Sequence, residues 1–112
     1  MSIEETDVID IISTDSTSGQ TVLTIADHLD WSESGKHLLL LQQKLNRYLA
    51  FIESGEILEH RPDANLARVV IKISFKYQPD NAGRDFLNTV RPIIESAGFV
   101  LVDQVYMGPS IN

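Results

Sequence analysis

The chain has 112 residues, 43% apolar and 22% charged, with a net charge of −7 and no cysteine. That balance fits one globular domain able to bury roughly two-thirds of its unfolded surface without a metal or disulfide staple. It excludes disulfides, thiolate metal sites and cysteine nucleophiles. No uninterrupted apolar run, Leu38–Leu41 included, approaches the ~20 residues a membrane-spanning helix needs.

Residues Asp7–Ser13 read as a first strand, because Val8, Ile9, Ile11 and Ile12 are β-branched and suit a pleated sheet. Thr14–Gly19 is a turn cluster. Thr21–Ala26 alternates Thr21, Leu23 and Ile25 against Val22, Thr24 and Ala26, which predicts a second strand and a hairpin. A helix follows, with Ser32 or Ser34 as its cap and Gly55 as its left-handed stop. Leu38, Leu41, Leu45, Leu49 and Ile52 form one helical stripe. Leu40, Lys44, Arg47 and Phe51 align as a second ridge off that stripe.

Residues 56–66 contain the turn signal Arg61-Pro62-Asp63-Ala64-Asn65. Arg68–Tyr77 is the strongest strand. It carries Val69, Ile71, Ile73, Phe75 and Tyr77 on one face and Val70, Lys72, Ser74 and Lys76 on the other. Pro79-Asp80-Asn81 opens a second helix with the stripe Ala82, Phe86, Val90, Ile93 and Ala97, stopped at Gly98. Pro92 inside it predicts a kink or a division into two short helices. Phe99–Tyr106 is a last strand, and 107–112 reads as a frayed tail.

The order is β-β-α-β-α-β. One domain over residues 1–112, with an ordered core at about 7–106, satisfies these patterns as an α+β two-layer sandwich. Its four-stranded sheet carries two helices on one face, and any parallel crossover in it should be right-handed.

Charge is unevenly spread. Residues 1–35 hold eight acids (Glu4, Glu5, Asp7, Asp10, Asp15, Asp27, Asp30 and Glu33) and no lysine or arginine. Residues 36–112 hold eight acids and nine bases. An acidic third repels phosphate backbones and suits a basic protein partner, although solubility alone is a sufficient reason for it. The acidic start Met1-Ser2-Ile3-Glu4-Glu5 is unlike a secretion signal, which points to a cytoplasmic protein with no membrane partner. The aromatics of the long strand fall with its apolar face, which argues against nucleic acid.

Catalytic motifs are absent. The six glycines are isolated and build no phosphate loop, and no nucleophile elbow or paired-histidine metal motif occurs. The best polar cluster is Asp27-His28-Leu29-Asp30-Trp31, where the second strand runs into the first helix. Asp27, His28 and Asp30 can be read as a metal or general-base site. They can equally be read as turn and cap residues with Trp31 as a lid over the core edge. His37 and His60 lack ligand-like partners and read as exposed.

The segments Ala26–Trp31, His37–Asn46 and Tyr48–Glu56 resemble a family of small bacterial proteins known only as a domain of unknown function. Val69–Ile73, Phe75–Tyr77 and Ala97–Phe99 fit the same pattern, so the resemblance spans roughly residues 5–106. It implies a bacterial origin and assigns no site.

The reading that follows is a non-catalytic protein-binding module with no cofactor and no metal. Its candidate contact residues are Leu40, Lys44, Arg47 and Phe51 of the ridge and Asp7, Asp10 and Asp15 of the acidic third, facing a basic protein or a second copy. A wide helix that simply buries both stripes is the competing view of the ridge. An enzyme or metal protein built on Asp27, His28 and Asp30 is the first alternative, and a self-associating structural subunit the second.

Overall fold

The computed structural model describes residues 3–106, so the tail expected at 107–112 lies outside the described residues. Four strands, β1 (Ile11–Thr14), β2 (Thr21–Asp27), β3 (Val69–Phe75) and β4 (Val100–Val105), form one sheet in the order β1-β2-β3-β4. β1 runs antiparallel to β2, while β2, β3 and β4 are mutually parallel. Helix α1 (Ser34–Glu53) links β2 to β3, followed by the short α2 (Ile57–His60), and α3 (Asn81–Ser96) links β3 to β4. Both crossovers step the same way across the sheet, which with a single hand of crossover puts both long helices on one face.

The register explains the core. Leu23 pairs with Ile71 and Ile71 with Leu101, while Ile25 pairs with Ile73. These side chains meet Leu41, Leu45, Tyr48, Phe51 and Ile52 of α1 and Leu87 and Ile94 of α3 in one buried cluster. The opposite face turns Ile11, Lys72, Ser74, Val100 and Val102 outward.

Several boundaries differ from the sequence pattern, each for an identifiable reason. Residues 56–66 are not all turn, because Ile57 is fully buried and winds α2 around itself. Neither Ser32 nor Ser34 caps α1. Its N-cap is Glu33 without a side-chain bond, and Ser32 is engaged by Asp30 instead. Gly55 does take the left-handed conformation, at φ 84°. Helix α3 runs unbroken through Pro92. The ring lies on the exposed side near the helix end, and Asn88, whose carbonyl loses its partner, is also exposed to water.

The buried stripe of α3 is not the expected one. Gly83, Leu87 and Ile94 face inward, Phe86 and Val90 are half-buried, and Ile93 is 61% exposed. Gly83 sets this rotation. A Cβ there would lie 2.9 Å from both the Trp31 ring and Pro79, so only glycine lets α3 approach the sheet end this closely. The Asp80 side chain fixes the helix start by accepting the Gly83 amide at 2.8 Å.

The largest departure is at the first strand. β1 spans Ile11–Thr14 rather than Asp7–Ser13. At Asp10 the backbone ladder stops and side chains continue it. The Asp10 amide donates to the Tyr48 hydroxyl (2.8 Å), which donates to the Thr24 carbonyl (2.7 Å). The Ala26 amide of β2 donates to Asp10 Oδ2 (3.0 Å). Asp10 Oδ1 accepts Lys44 Nζ at 2.8 Å, and both side chains are fully buried. Lys44 also donates to the Glu5 carbonyl (2.7 Å) and Arg47 to that of Asp7 (3.0 Å). The chain from Ile3 to Ile9 is thereby tied along α1, with Ile3 inside the core. The core thus begins at Ile3, ahead of the expected residue 7.

Removing one partner of a buried ion pair leaves the other charge desolvated and costs about 3–5 kcal/mol. Lys44→Met should therefore lower the urea unfolding free energy by about that amount. A loss inside the ~1 kcal/mol typical of exposed pairs would show that the pair is not buried as described.

Candidate functional site

Asp27 ends β2 at the carboxyl edge of the parallel strands, beside Phe75 of β3. Its Oδ1 accepts the Leu29 amide (3.1 Å), an Asx turn that swings the chain toward α1. Its Oδ2 lies 2.6 Å from His37 Nε2, and both side chains are essentially buried, at 0% and 2% exposure. His37 Nδ1 lies 3.0 Å from the Asp30 carbonyl. A carbonyl only accepts, so Nδ1 carries a hydrogen, and one further proton sits between Nε2 and Oδ2. Burial raises the Asp27 carboxyl above its ordinary value, against the opposing pull of the His37 hydrogen bond and charge.

Trp31 covers this pair. Its ring stacks on His37 with centroids 3.8 Å apart and tilts against Phe75 at 6.0 Å. Its indole N–H donates to the Tyr77 carbonyl (3.3 Å), and Gly83 leaves the space its ring fills.

The sequence cluster is therefore split. Asp27, Trp31 and the backbone of Asp30 gather around His37, which is buried rather than exposed. The Asp30 carboxylate turns to the Ser32 amide (3.1 Å) and hydroxyl (2.7 Å), which hold it below the usual carboxylate range. His28 points to the other side of the sheet end, exposed, 3.8 Å from Glu4. Asp27, His28 and Asp30 do not converge. Among the described residues no group of three or more histidines and carboxylates is placed to hold a metal ion.

The candidate contact residues also divide. Lys44 and Phe51 lie in the interior, so the exposed ridge expected on α1 is not there. Arg47 is half-buried, forks onto Glu56 at 3.0 and 3.1 Å and sits over the Phe51 ring. The helix buries a broad face because the polar members of it are matched: Lys44 by Asp10, Tyr48 by Thr24 and Asp10, His37 by Asp27. Asp10 is withdrawn from the surface by the same pairing with Lys44. Asp7 and Asp15 remain exposed, and Asp15 is held by the Thr17 and Ser18 amides of its turn.

What the surface keeps is a small acidic notch. Glu4, Asp30 and Glu33 surround a cavity of about 90 Å³ lined also by Leu29, Leu40 and Lys36. It lies where the N-terminal segment crosses the start of α1.

A four-stranded mixed sheet, two long helices on one face and a tryptophan-covered aspartate–histidine pair at the end of the first parallel strand define a small two-layer α+β domain. The chain belongs to a family of unknown function, DUF6572, whose model matches residues 1–107. No curated protein and no solved structure matches it. Among the described residues no helix is long and apolar enough to cross a membrane.

The raised Asp27 carboxyl has a defined pH consequence. A carboxyl whose folded value exceeds its unfolded one binds more protons when folded, so its contribution is full below the ordinary carboxylate range and is lost as pH rises through the raised value. Asp27→Asn keeps a donor for His37 and an acceptor for Leu29 but cannot ionise. Urea unfolding from about pH 3 upward should show the wild type losing stability relative to Asp27→Asn as pH passes above the ordinary value of ~4. A difference that stays constant with pH would contradict the burial argument.

Proposed function

We propose that this domain is a non-catalytic bacterial, cytoplasmic protein-binding module whose acidic notch receives a basic side chain of a partner protein. The observation that carries the reading is the composition of that notch. Leu29 and Leu40 give the notch apolar lining for a methylene stem, and Glu4, Asp30 and Glu33 give it acidic lining for a cationic head. With Lys36 counted, the rim keeps a net charge of about −2. The exposed Glu5 and Asp7 extend the same sign along the N-terminal segment, an arrangement that speeds encounter with a basic surface. The pairs inside the fold support the same reading from the other side. They consume Asp10 and Asp27 in holding the scaffold and leave the remaining N-terminal acids at the surface.

A hexa-arginine peptide is the simplest probe. Calorimetry should show binding at about 50 mM salt that weakens steeply by about 500 mM, where screening shortens to a few Å. Replacing Glu4, Asp30 and Glu33 together by lysine should abolish it while leaving the circular dichroism spectrum intact. Equal affinity for the triple variant would remove the notch as the contact.

A further inference from the structure

The carboxyl ends of the parallel strands have a second side, away from the helices. The register there places Ala26 beside Ser74 and Ser74 beside Gln104 on the uncovered sheet face. Just beyond them, His28, Lys76 and Tyr106 leave the ends of β2, β3 and β4. Together with Ala26, Asp27 and Ser74 they line an open cleft of about 300 Å³.

The chemistry of this lining is one-sided. Ser74 and Tyr106 bring hydroxyls, His28 an imidazole and Lys76 an ammonium. Among the described residues the only carboxylate in the lining, Asp27, is turned away, with Oδ1 on the Leu29 amide and Oδ2 on His37. What Asp27 gives this side is backbone: its carbonyl accepts the Lys76 amide (2.8 Å) and so fixes where Lys76 leaves the sheet. Its apolar lining comes from Ala26 and from Tyr106, a residue 57% exposed. The Lys76 ammonium lies 5.6 Å from the Tyr77 ring centroid. The turns that leave these strand ends bring several polar groups to one concave surface, the arrangement in which small-molecule sites are built.

We propose that this cleft binds a small organic phosphate with a planar body, the ring lying against Ala26 and Tyr106 and the phosphate meeting Lys76, His28 and the Ser74 hydroxyl. An anion matches a lining of donors, and the Lys76 ammonium offers a phosphate oxygen a charge-assisted hydrogen bond. The planar body matches an exposed tyrosine ring at the cleft wall. Glu4, 3.8 Å from His28 in an exposed contact, competes with the phosphate for the imidazole. This inference stands apart from the acidic notch, sharing with it only Glu4.

The test is a titration of the isotope-labelled protein with phenyl phosphate, inorganic phosphate and phenol, followed through backbone amide shifts. Phenyl phosphate should give saturable shifts at Ala26, His28, Ser74 and Lys76, with a dissociation constant on the order of millimolar for so small a ligand. Inorganic phosphate and phenol should each bind at least about tenfold more weakly. Lys76→Gln should weaken phenyl phosphate by about tenfold, and Glu4→Gln should tighten it by releasing His28. The Glu4→Gln arm guards against a variant that merely loses its fold. Absence of saturable shifts at those amides, equal binding by Lys76→Gln, or inorganic phosphate binding as tightly as phenyl phosphate would each overturn the proposal.

Discussion

Asp10 and Lys44 decide how the N-terminal half of the molecule is built. A carboxylate and an ammonium that are both withdrawn from water must face each other and fill their remaining hydrogen-bonding capacity. Asp10 does so with Lys44 on one oxygen and the Ala26 amide on the other. Lys44 reaches past it to the Glu5 carbonyl. One contact therefore joins three pieces of chain: the N-terminal segment, the end of β2 and the middle of α1. Tyr48, one turn along from Lys44, completes the arrangement by relaying the Asp10 amide to the Thr24 carbonyl. Burial holds its phenol well above its ordinary pKa, so it remains a donor. β1 is short because these side chains occupy the positions a longer strand would use.

The other end of α1 repeats the principle. His37 is matched by Asp27 and the Asp30 carbonyl, then sealed by Trp31. The indole in turn demands a glycine on α3, which rotates that helix so that Leu87 and Ile94 enter the core. Two polar clusters thus orient both long helices on the sheet, where apolar packing alone would tolerate several rotations. They also sort the acids. Asp10 and Asp27 belong to the scaffold, while Glu4, Asp30 and Glu33 reach the surface at one notch.

The alternation of β2 and β3 made the sheet legible from sequence, because a buried face with a period of two leaves little freedom of register. The helices were legible in extent but less so in facing. On α1 the inward line runs His37, Leu41, Lys44, Tyr48 and Phe51, spaced 4, 3, 4 and 3. Counting only leucines hides it, since three of its members are polar or aromatic with a polar tip. Their partners lie 10 to 39 residues away along the chain, and nothing local announces such a match. On α3 the misplacement arose because Gly83 offers no hydrophobicity to count, although its lack of a side chain is what places it inside. The cluster at 27–31 lies at the sheet end where Asp27 meets His37. Its consecutive residues necessarily point to different sides, so Asp27 and His28 separated.

If side chains complete the β1–β2 ladder, the amides they hold must behave as sheet amides. Hydrogen exchange of the Ala26 and Asp10 amides reads this directly, because each is bonded to a side chain rather than to backbone. Both should exchange as slowly as the Leu23 and Ile25 amides inside β2, limited by large-scale opening of the domain. Exchange of Ala26 and Asp10 as fast as that of the exposed turn residue Ser16 would contradict it.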